Sequence, residues 1–258
     1  LNIVVTGGVG FLGRATIHAA FAAGHEAWAF DHHLGHDVLG NLDQLSLSPS
    51  MHPDVVIHLA GVLGTDELFD DIERAIQINV TGAARVLDWC HRNGAGYVGI
   101  TMPPVFPSVY TATKLAADRL ASAYHHAYQL PVSHVRAFNA YGPGQAHGPG
   151  HPRKIIPSFS VQGWRNEPLL IWGDGEQIVD LVHADDIGRM LVDADHGQRC
   201  GPTGDRDHRQ HGRDAPHADA PWRDEQPGSV GRDRHRLEPS RLEAPTQLGP
   251  AGRHGPVV

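Results

Sequence analysis

The chain has 258 residues, 40% of them hydrophobic and 19% charged, which is ordinary for a globular protein with one large or two modest cores. A formal net charge of −8 argues against general nucleic-acid binding, and no apolar run is long enough to span a membrane. The two cysteines, Cys90 and Cys200, build no disulfide framework, and a first strand starting at Asn2 leaves no room for a signal peptide, so cytoplasmic residence is expected. Among the 20 histidines, the pairs His32-His33 and His125-His126 invite a metal only if a third ligand joins them. No Cys or carboxylate cluster is seen at ligand spacing, and no metal site is assigned.

The run Asn2 to Val5 predicts a buried parallel strand, and Phe11 to Ala23 carries Leu12, Ile17, Ala20 and Phe21 at helical spacing. Between them lie Gly7, Gly10 and Gly13, on a strand-to-helix turn. Gly7 suits the tight bend, Gly10 lets backbone approach a phosphate, and Gly13 lets the helix pack closely, while amides at the helix start face the anion. A second strand, Glu26 to Phe30, ends in Asp31, at the distance where an acid binds the adenosine ribose and repels a 2′-phosphate. NAD is therefore favoured over NADP.

Further strands are expected at Val55 to Leu59, Gly96 to Thr101 and Pro131 to Ala137, alternating with helices over about Leu68 to Asn93 and Val109 to Tyr128. The second of these helices repeats Leu115, Leu120 and Tyr124 on one side. The stretch from Asp31 to Pro53 is too short and broken for a full helix plus strand, so one crossover is pared down. The alternation predicts a parallel sheet with helices on both faces, and two helices per subunit could pair across a two-fold axis.

Tyr110 and Lys114 open the last helix four residues apart, on one face. A free phenol is a poor base at neutral pH, but a nearby ammonium and an oxidised nicotinamide would both lower its pKa and let it exchange a proton with a substrate hydroxyl. Ser108, two residues earlier, reads as the helix cap.

Taken in order, Thr6-Gly7-Gly8-Val9-Gly10-Phe11-Leu12-Gly13, Asp31, His36-Asp37-Val38, His58-Leu59-Ala60-Gly61, Asn79-Val80-Thr81-Gly82, Tyr110 with Lys114, Arg136 to Pro143, and Gly173-Asp174-Gly175 through Asp185-Asp186 resemble the NAD-dependent epimerase/dehydratase family of extended short-chain dehydrogenases/reductases. The resemblance runs to about residue 193. It implies a Rossmann-type, doubly wound α/β fold: a dinucleotide-binding domain over residues 1–142 and a small, incomplete C-terminal substrate lobe over 143–194. It also implies that Phe11 and Leu12 in the turn, Asp37 and Val38 at the adenine, and Leu59, Ala60 and Gly61 line the cofactor. Asn139 would meet the phosphates of a nucleotide-sugar substrate, Lys114 would hold the cofactor ribose, and Thr101 would orient the reacting hydroxyl.

Three departures from the family pattern carry information. Only eight residues separate Thr101 from Tyr110, which leaves Ser108 as the fallback for the hydroxyl-orienting role. Met102-Pro103 stands where dehydrating members resemble one another in an acidic pair, so water elimination is disfavoured. Val179 replaces an Arg that would grip the nucleotide diphosphate, and Arg153 and Lys154 are the substitute charges. The reading that results is a redox epimerase of a nucleotide-activated sugar, working through a transient keto intermediate. Its alternatives are a dehydrogenase or reductase of the same fold, and a cofactor-binding protein without catalysis.

From Asp195 to Val258 the text changes character: no Ile, Phe, Tyr, Met, Asn or Lys occurs, and Arg, Gly, Pro, Asp and His dominate. Such a segment buries too little apolar area to offset chain entropy and reads as an irregular tail. A frame shift in a GC-rich gene would produce the same switch.

Overall fold

The computed structural model describes residues 1–42, 52–64, 67–102, 107–148, 151–171, 173–176 and 178–199, the last five by backbone alone. The expected tail from Asp195 onward therefore lies almost wholly outside the described residues, as do Pro103, Pro104, Pro149 and Gly150.

Five strands, β1 (Asn2–Thr6), β2 (Glu26–Phe30), β3 (Val55–His58), β4 (Gly96–Thr101) and β5 (Val132–Arg136), form one parallel sheet in the order β2-β1-β3-β4-β5. β1 and β3 are continuous apolar runs, as strands covered on both faces must be, and their residues alternate between two cores. Val4 and Val56 join Val86, Leu87, Tyr97 and Ala121 on one face. Ile3, Val5, Val55 and Ile57 join Ala20, Val98, Ile187 and Leu191 on the other.

The first face is covered by α2 (Ile72–Ile76), a π-helical turn (Gln77–Thr81), α3 (Gly82–Asn93) and α4 (Val109–Tyr128). The helical run begins at Ile72 rather than at Leu68, which is buried in a separate 3₁₀ turn over Glu67–Phe69. In α4 the buried stripe is Thr113, Lys114, Ala117 and Ala121; Leu120 and Tyr124, expected to face the core, only flank it. Small residues there let helix and sheet approach closely.

The opposite face carries α1 (Phe11–Ala22) and α6 (Ala184–Arg199). α1 buries Gly13, Thr16, Ala19 and Ala20, whereas Phe21, which shares the helical spacing, is 54% exposed. The reason is the closeness of α6: a Cβ on Gly188 would stand 2.7 Å from the Ala15 carbonyl oxygen, so the shared face must be built from small side chains.

That packing also moves a boundary. Ile187, Leu191 and Val192 of α6 belong to the core of the dinucleotide domain, although the sequence reading placed them in the substrate lobe. The lobe is confined to the segment between β6 (Ala140–Tyr141) and β7 (Val182–His183), which pair in parallel, and it contains α5 (Ile155–Trp164), none of whose residues is buried. Trp164 is 77% exposed and Ile178 96%.

Candidate active site

In this strand order the chain leaves β1 toward β2 on one side and β3 on the other, so the crevice at the carboxyl ends of β1 and β3 is the switch point where ligands of open α/β sheets bind. Both motifs meet there. Gly7 bends with φ +70°, and a Cβ on it would lie 2.8 Å from the Ala60 nitrogen and 2.9 Å from the Leu59 carbonyl carbon. The turn after β1 and the turn after β3 thus touch through their backbones. A Cβ on Gly13 would lie 2.2 Å from the Gly7 carbonyl oxygen, so helix α1 presses against the turn itself. Gly10 stands at the N-cap of α1, exposed, with no side-chain cap and no acid in the first turn. The first-turn amides, Phe11, Leu12 and Gly13 among them, keep their donors for an anion.

Asp31, at the end of β2, is buried, with Oδ2 accepting from the Val9 amide at 3.2 Å and Oδ1 from the His33 amide at 3.1 Å. It therefore sits against the glycine turn, where an adenosine ribose would arrive. One correction follows for the histidines. Asp31 supplies the third group beside His32 and His33, with donor atoms within 4.8 Å of one another, a grouping missed because the carboxylate was counted only as a ribose acid. Asp37 is exposed and turns its Oδ1 to the Leu39 amide, while the Val38 side chain is buried against Gly82. Of Val38, the side chain is committed to the core.

A buried polar row lies directly beneath the crevice. Thr6 Oγ1 accepts from the Ala60 amide at 3.2 Å and is 2.8 Å from His58 Nδ1. Burial, aided by the Lys114 charge, pushes the His58 imidazolium down to about 3, so the ring is neutral.

Tyr110 and Lys114 lie in the first turns of α4, and Ser108 is its cap, with Oγ accepting from the Thr111 amide at 3.0 Å. Lys114 is buried, and desolvation brings it down to about 8. Tyr110 departs from expectation. Its phenol is pushed up to about 12 by burial, because loss of water disfavours the phenolate. In the protein alone Tyr110 is an acid holding its proton. Thr101 is buried at the carboxyl end of β4, in register with Arg136, with the residues that link it to Ser108 partly outside the described set.

The π turn of residues 77–81 delivers a residue the sequence reading quoted in a motif but gave no role. Buried Asn79 accepts from the Val62 amide at 2.8 Å and donates to the Val62 carbonyl at 3.1 Å and to Thr113 Oγ1 at 3.0 Å. Thr113 donates in turn to the Tyr110 carbonyl at 3.0 Å. Asn79 hence ties the loop after β3 to the helix that carries Tyr110 and Lys114. A helical interruption at a polar residue is the signal that marks it.

Asn139, Ala140, Gln145, Lys154, Ile155, Ile156 and Leu181 line a small cleft open to solvent. Asn139 and Lys154 are brought together as expected, Lys154 standing at the N-cap of α5. Arg153 is exposed and does not line the cleft. Gln145, which carries no signal in the sequence, donates to the Ala140 carbonyl at 2.8 Å and keeps Oε1 buried without a partner among the described residues.

Residues 3–197 match the profile of the NAD dependent epimerase/dehydratase family. The chain belongs to this family. It is 28% identical to a dTDP-glucose 4,6-dehydratase from Streptomyces antibioticus, over 74% of this chain and 68% of that protein. It is 32% identical to a UDP-glucuronate 4-epimerase from Thermodesulfobacterium geofontis, over 53% of this chain and 46% of that one. With UDP-glucuronic acid decarboxylase 4 of Arabidopsis thaliana it shares 25% identity, over 78% of this chain and 52% of the relative, so it spans about half the length of some of the curated relatives it matches. Among solved structures, Pal from Bacillus thuringiensis superposes with a TM-score of 0.67 at 27% identity, covering 74% of this chain and 72% of that one. UDP-glucose 4-epimerase from Brucella ovis, solved in complex with NAD, gives 0.66 at 24% identity, covering 76% and 73%, a likeness of fold. NAD is the cofactor of the family, and the uncapped glycine turn and Asp31 suit it. Among the described residues no helix is long and apolar enough to cross a membrane.

Proposed function

We propose that this chain is an NAD-dependent epimerase of a nucleotide-activated sugar, inverting one hydroxyl-bearing carbon through a transient keto sugar. The observation that carries the reading is the burial of Lys114 one helical turn beyond Tyr110, with its charge felt at His58 on the end of β3. Burying an ammonium costs stability, and groups perturbed in this way cluster at functional sites. Gly7, Gly10, Gly13, the first-turn amides of Phe11 and Leu12, Asp31, Leu59 to Gly61 and Lys114 would hold NAD, with Asp37 and the Val38 backbone toward the adenine. Bound there, NAD supplies a hydride acceptor and donor.

The chain's own residues then divide the remaining work. Tyr110 takes the proton of the sugar hydroxyl and returns it, Thr101 orients that hydroxyl, and the charge of Lys114 together with that of an oxidised nicotinamide would lower the phenol toward the range of a base. Asn139 and Lys154 take the diphosphate, and Gln145 Oε1 accepts from a substrate N–H or O–H. Arg153 is left at the rim. The apolar side chains Ile72 and Ile76, both about half exposed on α2, support a homodimer through the helices of this face.

The test is incubation of the NAD-loaded protein with a panel of UDP- and dTDP-sugars, read by NMR and by absorbance of the reduced cofactor. A stereoisomer of one substrate forming without net NADH supports epimerisation. Steady NADH would replace it by a dehydrogenase, and loss of water from the sugar by a dehydratase. Tyr110→Phe is expected to keep NAD uptake and to lose roughly 10²–10⁴-fold in turnover, the range for removing a general acid–base.

A further inference from the structure

Across the sheet, Thr6, His58, Gly99 and His134 stand in register on neighbouring strands. His58 and His134 share the face covered by α4 with Tyr97, whose ring lies 5.9 Å from that of His58 and 6.2 Å from that of His134. Gly99 makes this possible: a Cβ there would be 2.9 Å from Tyr97 Cε1 and 3.3 Å from His134 Cδ2. The layer is polar from the glycine turn to the edge of the sheet, and both histidines are lowered, first by burial and further by the Lys114 charge, which at His134 the Asp118 carboxylate opposes.

Asp118 is on the same helix one turn beyond Lys114, at the i,i+4 spacing from which a carboxylate and an ammonium readily pair. Such a pair would draw the ammonium away from the crevice. The carboxylate is instead turned to β5, where Asp118 Oδ1 is 3.3 Å from His134 Nε2, both side chains being mostly buried. Around Lys114, His58 on β3 and His134 on β5 feel its charge, Tyr110 and Asp118 stand one turn away on its own helix, and its pKa is lowered by burial, where a paired carboxylate would raise it.

We propose that His134 is a positioning residue that engages the Asp118 carboxylate and so keeps it from pairing with Lys114. A neutral imidazole with its proton on Nε2 suffices, because it donates to the carboxylate without charge. The ammonium then stays free for the crevice. This role concerns Lys114 itself and holds whichever reaction the site performs, although its value to the enzyme rests on the proposed function.

The sequence contains two lysines, Lys114 and Lys154, so protein labelled with ¹³C at lysine Cε yields two titrating signals. In the parent, the Lys114 signal is expected to turn near pH 8. His134→Leu should raise that midpoint by about one unit or more, as the released carboxylate stabilises the ammonium. His134→Gln, which keeps an N–H for Asp118, should leave it near the parental value, and the double variant His134→Leu/Asp118→Asn should restore it. Lys154 serves as the internal control. An unchanged midpoint in His134→Leu, or a shift that persists in the double variant, overturns the proposal, since a merely structural histidine is not replaced by removing the acid it touches. NAD uptake followed in parallel should fall about tenfold in His134→Leu and recover in the double variant. A parent that takes up no NAD would sink the functional reading while the lysine titration still decides this one.

Discussion

Replacing Lys114 by Met should make the protein more stable and less able to hold its cofactor. The ammonium is buried and its pKa lies near 8 instead of the 10.5 of an exposed lysine. Each unit is worth about 1.4 kcal/mol, so at neutral pH the folded chain carries roughly 3 kcal/mol of unfavourable charge burial. The sign follows from proton counting. Below pH 8 the side chain is charged in both states and the whole penalty applies. Between 8 and 10.5 the folded state has released the proton and the unfolded chain has not, so stability rises with pH. Above 10.5 the penalty is gone. Lys114→Met, similar in length and uncharged, is expected to gain about 3 kcal/mol at pH 7 and only about 1 kcal/mol at pH 9.5 relative to the parent, read by urea unfolding at both values. For a protein of this size the gain at neutral pH corresponds to a Tm higher by roughly 6–12 °C. A less stable variant, or a gain of equal size at both pH values, would refute the claim that charge burial is the cause. NAD uptake should weaken in the same variant.

Acid should find a second weak point at His58, whose folded value near 3 lies far below the ordinary 6.5. Stability that is complete above pH 6.5 should drain away as the pH falls toward 3, by up to about 5 kcal/mol from this ring, and His58→Asn should flatten that slope in denaturant titrations. Gly13→Ala puts a methyl group 2.2 Å from the Gly7 oxygen and should cost roughly 1–3 kcal/mol while displacing the turn, with NAD affinity falling alongside Tm. Asn79→Ala removes three hydrogen bonds from a buried position and should cost about 2–4 kcal/mol; protection of the Val62 amide from hydrogen exchange is the local readout.

All five main strands were legible because their signal is local: β-branched runs such as Val55-Val56-Ile57 bounded by turn residues. The cap at Ser108 and the limits of α4 were legible for the same reason. Side-chain facing was less so. Phe21 and Leu115 fit a helical period, but which face of a helix is pressed inward depends on the partner, and α1 meets another helix across glycine and alanine. The glycine turn, Asp31 and the Tyr110–Lys114 spacing could be read as a site since each is a short motif with its own chemistry. Burial of the phenol, the Asn79 tie, the orphaned Gln145 oxygen and the His134–Asp118 contact could not, because each joins residues from elements distant in sequence.

The path of the chain through α6 has a practical consequence. Helix α6 is reached only after the lobe, yet it seals one side of the sheet through Ile187, Leu191 and Val192. The lobe is thus an excursion spliced between β5 and the helix that closes the domain, anchored at both ends by the β6–β7 pair. A fragment cut at residue 142 would strand Ile3, Val5 and Ile57 in water. Because β6 and β7 run parallel, replacing the excursion needs a crossover linker of about a dozen residues from Tyr141 to Val182, and such an exchange leaves that seal in place.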